Sequence, residues 1–177
     1  MLTMVLGGAR SGKSTFAVEA ARRSNAPVTF VATAEPFDDD LTRRIARHRS
    51  ERPDWPTIEE PLRLADTVDA VATEAFVIVD CLTVWVGNLF HHLPDAVERA
   101  KHYDSLERVL VRRRSDLQLM VVSNEVGLGL HPDTALGREY RDELGRLNQR
   151  LCVAADRSLF LVAGRALALS DPWEVWP

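Results

Sequence analysis

The sequence predicts an α/β fold, a mostly parallel sheet flanked by helices, and three observations carry that expectation. Short apolar runs recur along the chain, each bounded by polar or turn residues. Segments with helical apolar spacing lie between them. A glycine-rich run, Gly7 to Ser14, stands where the first strand should pass into the first helix.

Taken in order, Leu2–Leu6 is the first strand: it is apolar, has no basic flank and runs straight into glycines, unlike a secretory leader. Ser14–Ser24 follows as a helix and Val28–Ala32 as the second strand. Asp38–Ser50 places Leu41, Ile45 and His48 at helical spacing. Glu51–Pro61 contains Pro53, Pro56 and Pro61 and reads as a connecting loop. Phe76–Val79 is the third strand, and a helix ends near His91-His92. Asp95–Arg114 repeats Val97, Ala100, Leu106 and Leu110 in near-helical register before a strand at Leu117–Val122. The clearest helix is Thr134–Ala155, where Leu136, Tyr140, Leu144, Leu147 and Leu151 recur at steps of four, four, three and four. Ser158–Val162 is the last of the five strand runs. Continuous apolar runs of this length suit strands covered on both faces.

Composition narrows the function classes. A chain of 177 residues, 46% of them apolar, favours a single domain spanning 1–177 with one substantial core. Lys plus Arg number 22 and Asp plus Glu 26, so the net charge is 22 − 26 = −4. That balance lacks the basic stripe of a nucleic-acid binder, and the apolar content argues against disorder. Cys81 and Cys152 are too few for a disulfide framework and too far apart for a metal knuckle, so both read as reduced core thiols. No stretch reaches the roughly 20 apolar residues that span a bilayer. A soluble, cytoplasmic globular chain is the expectation.

The strongest chemical signal is Gly7-Gly8-Ala9-Arg10-Ser11-Gly12-Lys13-Ser14, a complete G-x-x-x-x-G-K-S phosphate loop between a strand and a helix. Gly7, Gly8 and Gly12 let backbone N–H groups turn toward phosphate oxygens with no Cβ in the way. Lys13 brings positive charge to the β- and γ-phosphates, the Ser14 hydroxyl is a Mg²⁺ ligand, and the helix directs its positive end at the same anion. Such a loop works with an acid at the end of a neighbouring strand, and Asp80 supplies it as the second Mg²⁺ residue. Thr33 and Asn124-Glu125 also close strands and should face the same edge, where ligands gather in open α/β sheets.

His48 lies among Arg44, Arg47, Arg49 and Arg52 in an otherwise acidic chain. Arginines around one imidazole suit polyanionic phosphates and disfavour the imidazolium. A neutral imidazole is a nucleophile toward phosphorus. Spacing alone also allows a plain surface or core histidine. His91, His92, His102 and His131 show no ligand spacing, and no transition-metal site is assigned.

Together these motifs give a resemblance. The phosphate loop stands with Val31-Ala-Thr-Ala34, Arg44-Ile-x-x-His48, Trp55-x-Thr-x-Glu59 and Val79-Asp-Cys-Leu-Thr-x-Trp85. Ser123-Asn-Glu-Val-Gly-x-Gly129, Arg138-x-Tyr-Arg-Asp142 and Gly145-Arg-x-Asn-Gln149 continue the pattern. The sequence resembles the bifunctional adenosylcobinamide kinase/adenosylcobinamide-phosphate guanylyltransferases of cobalamin synthesis over most of its length. The resemblance implies a RecA-like P-loop NTPase fold and a homotrimer. It implies phosphorylation of adenosylcobinamide by ATP or GTP, then transfer of GMP from GTP to adenosylcobinamide phosphate, giving adenosyl-GDP-cobinamide and pyrophosphate. By the same resemblance His48 is the guanylylated residue. Nucleotide contacts fall on Gly7 to Ser14, on Ala32, Thr33 and Ala34, on Arg49, Ser50, Glu51 and Arg52, and on Glu59 and Asp80. Leu167 and Leu169 supply a closing apolar strand, and Ser170–Pro177 is an extension carrying two tryptophans. Two rival readings remain at this point: a P-loop kinase of another small alcohol with a structural His48, and a nucleotide-gated binding module.

Overall fold

The computed structural model describes residues 1–35, 49, 52–71, 76–113 and 116–176. The expected helix at Asp38–Ser50, and with it His48, Ser50 and Glu51, lies outside the described residues apart from Arg49.

Seven strands form one sheet: β1 (Leu2–Gly7), β2 (Val28–Ala32), β3 (Thr57–Glu59), β4 (Phe76–Asp80), β5 (Gln118–Val122), β6 (Arg157–Val162) and β7 (Arg165–Leu169). Their order is β3-β2-β4-β5-β1-β6-β7, parallel throughout except for the antiparallel β6–β7 hairpin at one edge. The helices are α1 (Lys13–Ser24), α2 (Leu64–Ala70), α3 (Leu82–His92), α4 (Ala96–Val111), α5 (Ala135–Ala154) and the single turn α6 (Pro172–Val175).

Strand alternation divides the core in two. Leu2, Met4 and Leu6 of β1, with Val77 and Val79 of β4 and Leu119 and Val121 of β5, face a layer built from α2 to α5, where Trp85, Leu106, Leu144 and Leu151 are buried. Val5, Ile78, Met120 and Val122 face the other way, toward α1. Ala17 and Ala21 are the buried residues on α1's apolar side, and such small side chains let the helix lie close to the sheet. That closeness places the helix's first turn against the end of β1, which positions the phosphate loop.

The structure corrects the sequence reading in three places. Glu51–Pro61 is not wholly a loop: Thr57–Glu59 forms β3, pairing in parallel with Phe30–Ala32. A three-residue edge strand with a single neighbour is half exposed, so it leaves no apolar run to read. α2 was not anticipated, because only Leu64 and Val68 of its seven residues are buried. The Ser170–Pro177 extension contains a defined turn of helix, capped where Asp171 accepts a hydrogen bond from the Trp173 amide at 2.9 Å. The closing strand expected at Leu167 and Leu169 is present as β7, and all five of its residues are exposed.

Candidate nucleotide site

The C-terminal ends of β1, β2, β4 and β5 meet at one edge of the sheet, and the loop after β1 is its centre. Gly7 ends β1 at φ 149°, where a Cβ would stand 2.3 Å from the Leu161 carbonyl oxygen and 2.8 Å from Ser11 Oγ. Gly12, at φ 97°, turns the chain into α1 in a conformation that side chains rarely adopt. Gly8 differs: a Cβ there meets nothing within 4 Å, so the chain's own packing makes no demand for glycine at that point. The β6–β7 turn braces the loop from outside through a Gly164 N–H bond to the Ser11 carbonyl at 3.0 Å.

Lys13 is buried inside this loop. Its Nζ donates to the carbonyls of Gly8 at 2.6 Å and Gly7 at 3.0 Å, and more weakly to Ser11 Oγ at 3.4 Å. Burial lowers its pKa from the ordinary lysine value, partly offset by the nearby Cys81 and Asp80. A desolvated ammonium held by neutral carbonyls stands to gain from an anion.

Asp80 ends β4, in register with Ala32 of β2 and Val122 of β5. With Ser14 and Thr15 it opens onto a cavity of about 280 Å³, lined further, among the described residues, by Val18, Glu19 and Arg22 of α1, by Phe30 and by Arg52. A hydroxyl and a carboxylate opening onto one space are the hard oxygen donors that Mg²⁺ takes, so these residues fit the ion. A larger hollow of about 450 Å³ is bounded by Asp104, Glu107 and Arg108 of α4 and Arg150 of α5 and includes no loop residue.

The remaining predicted residues divide by role. Thr33 is fully buried, and its hydroxyl is committed to structure: it donates to the Cys81 carbonyl at 2.8 Å and accepts from the Cys81 amide at 2.9 Å. Asn88 donates to the carbonyls of Thr33 at 2.6 Å and Pro61 at 3.1 Å, which ties the end of β2 to α3 and the turn before α2. Ala32 and Ala34 flank that junction half-buried. Arg49 and Glu59 approach at 3.8 Å, both exposed. Arg52 sits over the Phe30 ring, its guanidinium carbon 3.9 Å from the ring centre, and donates to Thr57 Oγ1 at 3.2 Å. Burial and then Arg49 lower its pKa, against smaller upward pulls from Asp80 and Glu59. Glu125 sits beside the loop through its amide, which donates to the Gly7 carbonyl at 3.0 Å, while its carboxylate accepts from the Gly127 amide at 2.8 Å. Burial pushes the Cys81 thiol up to about 12, with Asp80 adding to it, and both cysteines are unpaired thiols.

Sequence reasoning missed a network that supports the site from behind. Asn148 of α5 is buried, accepts from Ser123 Oγ at 2.7 Å and donates to the Asn124 carbonyl at 3.1 Å. The Asn124 amide donates to Thr83 Oγ1 at 2.7 Å, and Tyr140 Oη donates to the Thr83 carbonyl at 3.0 Å. The signal was present: an asparagine sits beside Leu147 on the apolar face of α5, where only a satisfied polar group is tolerated.

Comparison with known proteins gives a family and a fold. The family model for cobinamide kinase / cobinamide phosphate guanyltransferase matches residues 3–169. The bifunctional adenosylcobalamin biosynthesis protein CobP of Pseudomonas aeruginosa is 42% identical over 173 residues, covering 96% of this chain and 97% of the relative. The bifunctional adenosylcobalamin biosynthesis protein CobU of Escherichia coli is 35% identical over 176 residues, covering 93% and 97%. Among solved structures, a prototypical ATPase from a type III secretion system superposes with a TM-score of 0.57 at 14% identity, over 91% of this chain and 51% of that one. The RadB recombinase gives 0.52 at 18% identity, over 90% and 73%. At such identities these two show the fold alone: a mostly parallel P-loop NTPase sheet of the RecA-like kind.

Proposed function

The chain belongs to the cobinamide kinase / cobinamide phosphate guanyltransferase family, and from that membership and the site we propose that it carries out both reactions. It phosphorylates the aminopropanol hydroxyl of adenosylcobinamide with ATP or GTP. It then transfers GMP from GTP to adenosylcobinamide phosphate, giving adenosyl-GDP-cobinamide and pyrophosphate. The supporting observation is the buried Lys13 ammonium inside the loop, next to Ser14 and Asp80 on a shared cavity.

In this reading the nucleotide is held by Gly7 to Ser14, Ala32 to Ala34, Arg49 to Arg52, Glu59 and Asp80. Lys13 exchanges loop carbonyls for phosphate oxygens, a stronger charge-assisted bond. Ser14 and Asp80 would hold Mg²⁺, which would supply charge neutralisation of the phosphates. For the kinase step the loop amides and Lys13 position the γ-phosphoryl group in line with the acceptor hydroxyl. Asp80 and Glu125 are the two candidate bases for the proton of the acceptor hydroxyl.

For guanylyl transfer, a His48 imidazole nitrogen attacks the α-phosphorus of GTP. The Pα–O–Pβ bond breaks, and pyrophosphate leaves with the bonding pair, stabilised by Lys13 and the loop amides. A phosphate oxygen of adenosylcobinamide phosphate then displaces the imidazole from phosphorus, regenerating His48. The same reading carries a homotrimer working in the cytoplasm. Among the described residues, no helix is long and apolar enough to cross a membrane.

Intact-protein mass spectrometry after incubation with GTP tests the scheme. Wild-type protein should gain one GMP, and His48→Ala should gain none and lose guanylyl transfer while retaining phosphorylation of adenosylcobinamide. A GMP adduct that persists in His48→Ala would assign the nucleophile elsewhere. Phosphorylation without any adduct in wild type would leave a plain kinase.

A further inference from the structure

Asn124 follows β5 at the ligand edge of the sheet, and neither reaction as described gives its side chain a part. The β1–β5 ladder runs on past the end of β5: the Ser123 amide donates to the Val5 carbonyl at 2.9 Å and the Glu125 amide to the Gly7 carbonyl at 3.0 Å. Since Val5 stands opposite Val122, the same register sets Asn124 opposite Gly7, the first residue of the phosphate loop. Gly7 brings no side chain to that position. Its carbonyl also accepts from Lys13 Nζ at 3.0 Å, so the ammonium and the Asn124–Glu125 peptide share one acceptor.

Extended backbone fixes which way the side chains go. Val122 faces α1, and Ser123 faces α5, where its hydroxyl meets Asn148. Asn124 therefore returns to the α1 face, the side on which Asp80 opens and α1 begins with Lys13. Its backbone is fully committed: the amide donates to Thr83 Oγ1 at 2.7 Å, and the carbonyl accepts from Asn148 Nδ2 at 3.1 Å. Its carboxamide is not, for among the described residues that group has no hydrogen-bond partner. β5 lies between β1 and β4, so this N–H donor stands between the phosphate loop and the strand that ends in Asp80. A donor on a backbone locked from both sides needs no reorganisation when charge arrives.

We propose that Asn124 is a further catalytic residue of the kinase step, its Nδ2 donating to an oxygen of the γ-phosphoryl group. This rests on the functional reading above and adds one donor to the loop amides and Lys13. In the transfer the acceptor hydroxyl oxygen bonds to the γ-phosphorus. The bond from that phosphorus to the bridging oxygen breaks, and the nucleoside diphosphate leaves with the electron pair. The hydroxyl proton passes to one of the candidate bases, Asp80 or Glu125. Asn124 neither gains nor loses a proton; its N–H group steadies the oxygen charge while the phosphoryl group moves. A nucleoside diphosphate has no γ-oxygen for it to meet, so the contact reads the third phosphate.

Asn124→Ala removes no hydrogen bond among the described residues, so the fold is retained. Two measurements then separate a catalytic role from a structural one. Titration calorimetry compares GDP with the β,γ-imido analogue of GTP, and initial rates follow phosphorylation of adenosylcobinamide by ATP. In Asn124→Ala the analogue should bind about tenfold more weakly, the weight of one hydrogen bond to a charged group. GDP affinity should stay within about twofold of wild type, and the phosphorylation rate should fall about a hundredfold. Asn124→Asp keeps the shape and the backbone bonds but sets a carboxylate against the γ-oxygens, so it should be slower than the Ala variant. A structural role would make Asp the milder change. Equal losses for GDP and the analogue, an Ala variant within about twofold of the wild-type rate, or an Asp variant faster than Ala would each overturn the proposal. Failure of the functional reading looks different: wild-type protein would bind the analogue yet phosphorylate no adenosylcobinamide, while the nucleotide titrations would still report the contact.

Discussion

Lys13 carries more of the site than any other single residue, since its burial and its carbonyl partners exist only to present one cation at one point. Lys13→Met should lower both activities by about a hundredfold or more, as removal of one preorganised donor commonly does, with GTP titration calorimetry showing the matching loss of affinity. Near-normal rates would mean that the loop is not the shared cradle. The glycines separate stability from binding. Gly7→Ala drives a Cβ to 2.3 Å from the Leu161 carbonyl and should cost about 2 to 4 kcal/mol of stability, read from urea denaturation. Gly8→Ala meets no protein atom within 4 Å, so its stability should stay within about 0.5 kcal/mol of wild type. Any effect of that variant should then appear in nucleotide affinity alone. At this scale the sequence was legible because the loop is local: eight adjacent residues specify turn, charge and ligand together. Asn148, Ser123 and Thr83 were not, because their hydrogen bonds join positions 24 to 41 residues apart and no spacing rule reports a long-range bond.

The elements behind the site are held by one buried cation. Arg99 of α4 forms a two-pronged pair with Glu143 of α5 at 2.7 and 3.0 Å and reaches Glu139. It also donates to the carbonyls of Leu93 and Pro94 and covers the Phe90 ring at 3.9 Å, while Tyr103 Oη donates to Glu143 at 2.8 Å. Burial alone would raise the Glu143 pKa, but the hydrogen bonds from Arg99 and Tyr103 outweigh it and hold the carboxyl below its ordinary 4.5. The unfolded chain then binds that proton more tightly than the folded one. The stabilisation is thus fully present above the ordinary value and disappears as pH falls through the lower, folded-state one. Arg99→Met leaves the largely shielded Glu143 without its cationic partner and should cost about 3 kcal/mol at neutral pH. Urea melts at neutral pH and below 4.5 should show the gap between variant and wild type narrowing on the acid side. A constant gap would assign the loss to packing over Phe90 instead. Periodicity identified α4 and α5 well, because Leu106, Leu110, Leu144, Leu147 and Leu151 recur on buried faces. It passed over α2 and β3, whose few buried residues leave no period to detect.

The whole molecule ends on a surface that one chain leaves uncovered. Every residue of β7 is exposed, with Leu167 at 59% and Leu169 at 45%, and Val162 on β6 and Trp173, Val175 and Trp176 near the C-terminus add to the apolar area. Among the described residues β7 pairs only with β6, so its outer edge keeps a row of free backbone groups. Apolar side chains on an open strand edge are an aggregation hazard unless a partner occupies them. The proposed homotrimer supplies that partner as further copies of the chain, and the hairpin's location gives assembly a consequence. Its turn holds the phosphate loop through Gly164 and Ser11, so burying the hairpin steadies the loop at its outer side. Leu167→Asp with Leu169→Asp should therefore convert the proposed trimer to monomers in sedimentation equilibrium and weaken GTP binding, although neither residue lines the cavity beside the phosphate loop. Trp173 and Trp176, which the proposed assembly would shield, should shift their emission to the red on dissociation, while Trp85, fully buried within the chain, should not. A double variant that stays trimeric would move the interface to another face, and one that dissociates with unchanged GTP affinity would separate assembly from the loop.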